Sequence, residues 1–258
     1  MINIHPTAIV SNNAKIGNNV EIGPFTIIHD DVEIGDDCQI DSSVVIYNGA
    51  RIGNRVKIFQ GSSIANIPQD LKFNNCESYF YIGDDTVIRE FVTLHRGTEA
   101  TGFSRIGKNC LLMAYVHVAH DCVVGDNCII ANAVQLAGHV TLEDWVIVGG
   151  VTPVHQFCKV GQHSMIGGGF KIATDIPPYI LGGGYPLRFA GVNIIGLKRR
   201  GFATEDIETI KKIYRIMYNS GLNFSQSRER IKNEYSENKY GKIILDFIGK
   251  GERSMLRR

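Results

Sequence analysis

The chain has 258 residues, 44% of them hydrophobic and 21% charged, with 27 Lys+Arg against 26 Asp+Glu for a formal net charge of +1. Apolar material is ample and net charge slight, which excludes a mainly disordered chain, and the 28 glycines follow no collagen period. No run approaches the ~20 apolar residues that span a bilayer, and the opening MINIHPTAIV lacks a basic stretch followed by an apolar one. The expectation is a cytoplasmic protein with no membrane insertion and no nucleic-acid partner.

The first signal along the chain is a repeat. Stepping by six from Ile4 to Ile172 gives 29 positions, of which 26 are Ile, Leu or Val and only Asp70, Cys76 and Ala100 are not. A second track, four residues after each aliphatic, holds small or β-branched residues such as Ala14, Val20, Thr26, Cys38 and Val56. Glycine often follows the aliphatic, as in Ile16-Gly17, Ile34-Gly35 and Ile106-Gly107; the reading is that it supplies turn dihedrals. Period six fits neither a helix nor simple alternation. It fits a solenoid with a short strand and a sharp turn in each hexad, three hexads making a triangular coil of 18 residues. This is the hexapeptide parallel β-helix, whose left hand is implied by resemblance to other such proteins.

Two stretches, 65–81 and 99–105, lack hexad character yet keep the phase, as excursions or degenerate coils. The solenoid is expected over 1–177, a Pro/Gly-rich linker over 178–197, and a helical domain over 198–258, so the chain is mainly β with a C-terminal α part. Thr204 is read as a helix cap, with Ile207, Ile210, Ile213, Tyr214 and Met217 at helical spacing and Gly221 at the end; 225–249 reads as two further helices. Residues 198–258 hold 15 Lys+Arg and 8 Asp+Glu, whereas 1–197 hold 12 and 18. A basic module on an acidic body suits an acidic partner.

Five of the six cysteines, Cys38, Cys110, Cys122, Cys128 and Cys158, fall on the small-residue track and read as buried hydrophobes; Cys76 reads as a free thiol. His5, His29, His95 and His163 sit alone and receive no role. His117, His120, His139 and His155 cluster. Residues 18 apart stack on adjacent coils, about 4.8 Å apart, so His120 lies in register with Gly138 and Gln156, and Asp121 with His139. Core packing does not require such a polar band. Histidine can accept a proton from a hydroxyl, Asp121 can orient it, and a glycine amide can stabilise an oxyanion. Two other readings stand beside this one: a zinc hydratase, since γ-class carbonic anhydrases resemble this fold and bind zinc through histidines, and a non-catalytic scaffold.

The runs His117-Val-Ala-His120-Asp121-Cys122, Leu136-Ala137-Gly138-His139-Val140 and Val154-His155-Gln156-Phe157 resemble the UDP-N-acetylglucosamine acyltransferases, as do Pro68-Gln69-Asp70-Leu71-Lys72 and the segment from Gly191-Val192-Asn193 to Gly196-Leu197-Lys198-Arg199-Arg200-Gly201-Phe202. The likeness spans the whole chain. It implies a homotrimer with clefts between solenoids, and transfer of a 3-hydroxyacyl chain from acyl carrier protein to the 3-hydroxyl of UDP-N-acetylglucosamine, the first step of lipid A synthesis. It further implies His120 as general base, Asp121 as its orienting partner and Gly138 as oxyanion donor. By the same likeness Asp70, Lys72, His117, His139, His155, Gln156, Asn193 and Arg200 contact the acceptor or line its cleft, and Arg199 contacts the donor's pantetheine arm. No metal and no soluble cofactor is implied.

Two positions depart from the family pattern. Ile195 stands where the family often has Glu, which leaves an amine acceptor open, and Pro186 stands where some members place a histidine near the acyl-chain end. By the same resemblance a bulky residue at 168 shortens the acyl pocket, so Gly168 implies an open pocket and a long hydroxyacyl chain of about fourteen carbons or more.

Overall fold

The computed structural model describes residues 2–249 and 253–258. Three sheets, parallel except for one antiparallel pair at the end of the first, run the length of a triangular solenoid. The first has eleven strands, from Asn3–Ile4 to Arg188–Val192, and the second and third have eight each. Most strands are two residues long, the second being the track aliphatic pointing inward. Ile28, Ile46, Leu94, Leu136, Val148 and their equivalents are fully or almost fully buried, each contributing roughly 1.5–3 kcal/mol from apolar burial. The first-coil residue Ile4 is the exposed end of the track, because no coil lies beneath it.

The small-residue track closes the corners. Val20, Val44 and Val56 are buried there, and so are the five track cysteines. The cysteines act as donors between coils: the thiols of Cys38, Cys110 and Cys122 lie 3.1 Å from the carbonyls of Gly53, Gly125 and Ala137, as the Thr86 hydroxyl lies 2.8 Å from Gly107 O.

The glycines after the aliphatics serve a different end from the one expected. Positive φ falls three residues after the aliphatic, on Asn19, Asp37, Arg55, Asn109, Asn127 and Trp145, at a cost of about 1–2 kcal/mol each. Gly17, Gly35 and Gly125 are instead places of close approach. An Asp or Asn one coil on caps the next backbone amide, as Asp36 caps Asn18 N, Asn54 caps Asp36 N and Asp144 caps Asp126 N. A Cβ at each glycine would collide with that side-chain oxygen.

Both irregular stretches are excursions. Ordinary neighbours pair 18 residues apart, as Gln39 with Lys57. Across the first excursion Lys57 pairs with Val87, 30 apart, and across the second Thr93 pairs with His117, 24 apart. The insertions are therefore twelve and six residues, whole multiples of the hexad, which preserves the phase.

Residues 178–197 do not form a linker. Ile180–Gly183 joins the first sheet beside Met165–Ile166 and turns back as Arg188–Val192. Gly182 passes so close to Ile166 that a Cβ would lie 2.8 Å from its Cδ1; the glycine density reflects packing. Four helices follow: α1 (Ile194–Arg199), α2 (Thr204–Asn219), α3 (Phe224–Tyr235) and α4 (Lys239–Gly249). Helix α2 buries Ile207, Ile210, Ile213, Tyr214 and Met217 as its spacing implies, but its cap position is Ala203, one residue before Thr204. Gly221 follows it with φ 75°. Among the described residues no helix is long and apolar enough to cross a membrane.

Candidate active site

Residues 119–122, 137–140 and 155–158 form the corner where chain leaves the second sheet for the third. Asp121, His139 and Phe157 occupy its left-handed turn positions, with φ of 59°, 60° and 65°. The corner therefore presents one polar or aromatic side chain per coil, in register.

His120 Nδ1 lies 2.7 Å from Asp121 Oδ2. A carboxylate only accepts, so Nδ1 carries a proton, and in the neutral ring Nε2 is then the acceptor. The His120 side chain is 16% exposed and that of Asp121 fully buried. Burial alone would raise the Asp121 carboxyl, but hydrogen bonds from His120, Thr101 and Thr98 outweigh it and hold it well below the usual carboxylate range. Gly138 lies directly beneath the imidazole: a Cβ there would sit 2.6 Å from His120 Cε1 and 2.8 Å from Nε2. Among the described residues the Gly138 amide hydrogen meets no acceptor.

His139 stands edge-on to His120, ring centroids 5.3 Å apart, and stacks on Phe157 at 4.5 Å. His117 shares a hydrogen bond with Thr93 Oγ1 at 2.8 Å. Burial, with the charges of His95 and His120, lowers its pKa to about 4, so it is neutral near pH 7. His155 and Gln156 continue the column one coil on, where Phe157 N donates to Gly138 O and His155 Nδ1 to Gln156 O.

Three residues of this site escape the sequence reading. His95 is buried, its ring 5.1 Å from that of His117 and its Nδ1 donating to Ile67 O at 2.6 Å; it pins the first excursion to the band. Thr98 and Thr101, on the second excursion, reach Asp121. Only the loop's nearness to hexad 118–123 in the coil order could have pointed to them.

The remaining expected residues lie elsewhere on the chain. Asp70 and Lys72 sit on the first excursion, where Asp70 Oδ1 accepts from Lys72 N at 2.9 Å, and neither bonds to the histidine band. Asn193 and Arg200 belong to the corner between the third and first sheets. There Trp145, His163 and Tyr179 stack, with centroids 6.0 and 5.6 Å apart. The Arg200 guanidinium lies 5.1 Å over Trp145, and its Nη1 is 3.3 Å from His163 Nδ1. Burial and the Arg200 charge lower the His163 pKa to about 4; His163, solitary in the sequence, is the middle ring of this stack. Asn193 is buried, donating to His163 O and capping α1 by accepting from Gly196 N. Arg199 is exposed beside it. Gly168 is exposed at the third corner, where a Cβ would press to 2.9 Å from Gly150 O, and Pro186 lies at the hairpin tip.

The donor atoms of His120, Asp121 and His139 lie within 4.8 Å of one another, but the set does not fit a metal. Both Asp121 oxygens are filled by four donors, and His120 turns Nδ1 into that same carboxylate. The arrangement fits a base held by a carboxylate beside a free amide. The thiol of Cys122 is no nucleophile there: burial pushes its pKa up to about 12.

Comparison with known proteins agrees along the full length. Residues 175–256 match the family model described as UDP-N-acetylglucosamine O-acyltransferase, domain 2, and residues 31–66 and 103–137 match the bacterial transferase hexapeptide. The chain is 49% identical over 258 residues to the acyl-[acyl-carrier-protein]–UDP-N-acetylglucosamine O-acyltransferase of Thiobacillus denitrificans, covering 100% of both. It is 51% identical over 250 residues to that of Aliarcobacter butzleri, covering 96% of this chain and 95% of the other. The crystal structure of a UDP-N-acetylglucosamine acyltransferase from Bacteroides fragilis superposes with a TM-score of 0.95 at 47% identity, over 98% of this chain and 100% of that one. Solenoid and helical end thus agree in order and length with one set of proteins, and the chain belongs to the UDP-N-acetylglucosamine O-acyltransferase family.

Proposed function

We propose that this protein transfers a 3-hydroxyacyl chain from acyl carrier protein to the 3-hydroxyl of UDP-N-acetylglucosamine, the first step of lipid A biosynthesis. The observation that carries the reading is the stack of His120 on Gly138 with Asp121 at its Nδ1. His120 Nε2 takes the proton of the sugar hydroxyl as the oxygen attacks the thioester carbonyl. The C–O bond forms, and the carbonyl oxygen becomes an oxyanion against the Gly138 amide. Collapse breaks the C–S bond, and the proton on His120 passes to the departing pantetheine thiolate. Asp121 stabilises the imidazolium in between. The transfer is direct, and neither metal nor soluble cofactor takes part.

A three-fold assembly completes the site. Asn193 and Arg200 stand on one edge of the prism and His120 on another, so in a cyclic trimer one protomer's Arg200 edge faces the next protomer's His120 edge. Asn193, Arg200, Asp70, Lys72 and His139 hold the nucleotide sugar there, and Arg199 the pantetheine arm. The basic helical end steers the acidic carrier protein, and the open corner at Gly168 admits a long acyl chain. His120→Ala should lower turnover by about 10²–10⁴-fold, the scale of general-base catalysis, with a trimeric mass unchanged in sedimentation. Retained turnover would remove His120 from the mechanism. The departure from the family pattern at Ile195, exposed on α1, leaves the 3-amino analogue open as a second acceptor; assays with both sugars separate the two.

A further inference from the structure

Asp121 receives more hydrogen bonds than orienting one histidine requires. Its Oδ1 accepts from Thr98 N at 3.0 Å and from the Thr101 hydroxyl, and its Oδ2 accepts from the Thr98 hydroxyl at 2.7 Å and from His120 Nδ1 at 2.7 Å. Those four donors fill the acceptor positions of a carboxylate. A second imidazole is close: His139 Nε2 stands 3.6 Å from the same Oδ2, outside hydrogen-bond distance. Two histidines thus flank one oxygen, and only one is bonded to it.

We propose that Thr98 and Thr101 are positioning residues that fix the tautomer and aim of His120. By occupying three of the four acceptor positions they leave Asp121 one, and that one faces His120 rather than His139. The loop is built to hold them in place. Gly97 packs so closely on Phe103 N that a Cβ would collide with it, and Gly102 turns at φ 77° and donates to Thr98 O at 2.8 Å. The Thr98 hydroxyl accepts from Ala100 N at 3.2 Å while donating to Asp121, so its proton has one direction to go. The Thr101 hydroxyl lies between Asp121 Oδ1 and Phe103 O, and the charged acceptor takes its proton. The other titratable groups around the carboxylate are His117 and His95, each with its own partner in Thr93 and Ile67, and Cys122, whose thiol donates to Ala137 O. Without the threonines the carboxylate is free to turn toward His139, and His120 loses its fixed Nδ1 proton.

The kinetic part of the test rests on the acyltransferase reading, so a second readout is independent of turnover. In protein labelled with 15N-histidine, the His120 ring nitrogens should report a single Nδ1-protonated tautomer, and in Thr98→Val a mixture. Turnover of Thr98→Val should fall about tenfold, the scale of one hydrogen bond to a charged group, with KM for acceptor and donor unchanged. Thr98→Ser should restore both readouts. If Thr98→Val does not fold, Thr101→Ala, at an exposed position, should give a smaller change of the same kind. An unchanged tautomer, or a raised KM with turnover intact, would overturn the proposal. A shifted tautomer with unchanged turnover would uphold it and instead remove His120 from the chemistry.

Discussion

Gly138→Ala tests the stacking of the site most directly. The added Cβ would lie 2.6 Å from His120 Cε1 and 2.8 Å from Nε2, against an ordinary contact distance of about 3.5 Å, so the ring must withdraw by roughly 0.9 Å. Backbone at 138 is outside the left-handed region, so alanine strains nothing but this contact. A displacement near 1 Å costs about 10²-fold in rate; turnover should fall by that much while the melting temperature stays close to the parent's. Acyl transfer measured with a hydroxyacyl carrier protein, alongside thermal unfolding, gives both numbers. The double variant with His120→Ala isolates the cause, because a methyl that acts only through the ring adds nothing once the ring is gone. Turnover within about threefold of the parent would refute the contact, and a further large loss in the double variant would place the effect on the amide instead.

Three other outcomes follow from the same geometry. His117 and His163 have pKa values lowered to about 4, and that of His95 is lowered too, all chiefly by burial. The unfolded chain takes up those protons below about pH 6.5 and the folded chain does not. Stability is therefore full above that pH and should fall by pH 5, on the order of 1–2 kcal/mol for each of His117 and His163, with His95 adding loss in the same direction; a urea midpoint that is flat from pH 7.5 to 5 would contradict this. Asn193→Ala removes the α1 cap and the bond to His163 O and should lower stability by about 1–2 kcal/mol, visible in thermal melts without any nucleotide present. Reversing Lys211, Lys212 and Arg215 should raise the KM for acyl carrier protein at low salt and much less at high salt; unchanged donor kinetics would move the docking face elsewhere.

What was legible in the sequence is what the hexad period controls. It places Ile46, Leu136 and Val148 inside, the track cysteines at the corners, and His120 over Gly138, because every one of these follows from stacking at a fixed interval. What was not legible comes from contacts that leave the lattice. Thr98 reaches Asp121 across an inserted loop whose path no period encodes, and His95, solitary in sequence, meets His117 across the same insertion. The glycines show the limit of composition: Gly35 reads as a turn residue but is small because Asn54 caps the neighbouring amide, and the glycine-rich 180–183 reads as linker but is a strand lying against Ile166. The separation of Arg200 from His120 was within reach, since Trp145 and His163 occupy the third-to-first turn and Asp121 and His139 the second-to-third.

Insertions of twelve and six residues leave the coils on either side stacked as though nothing lay between them, Lys57 against Val87 and Thr93 against His117. Each excursion leaves the prism and returns to the point it left, so every later aliphatic still points inward and every later corner keeps its edge. New chemistry can thus enter this architecture as loops hung from an undisturbed coil, and the threonines that grip Asp121 stand on one of them.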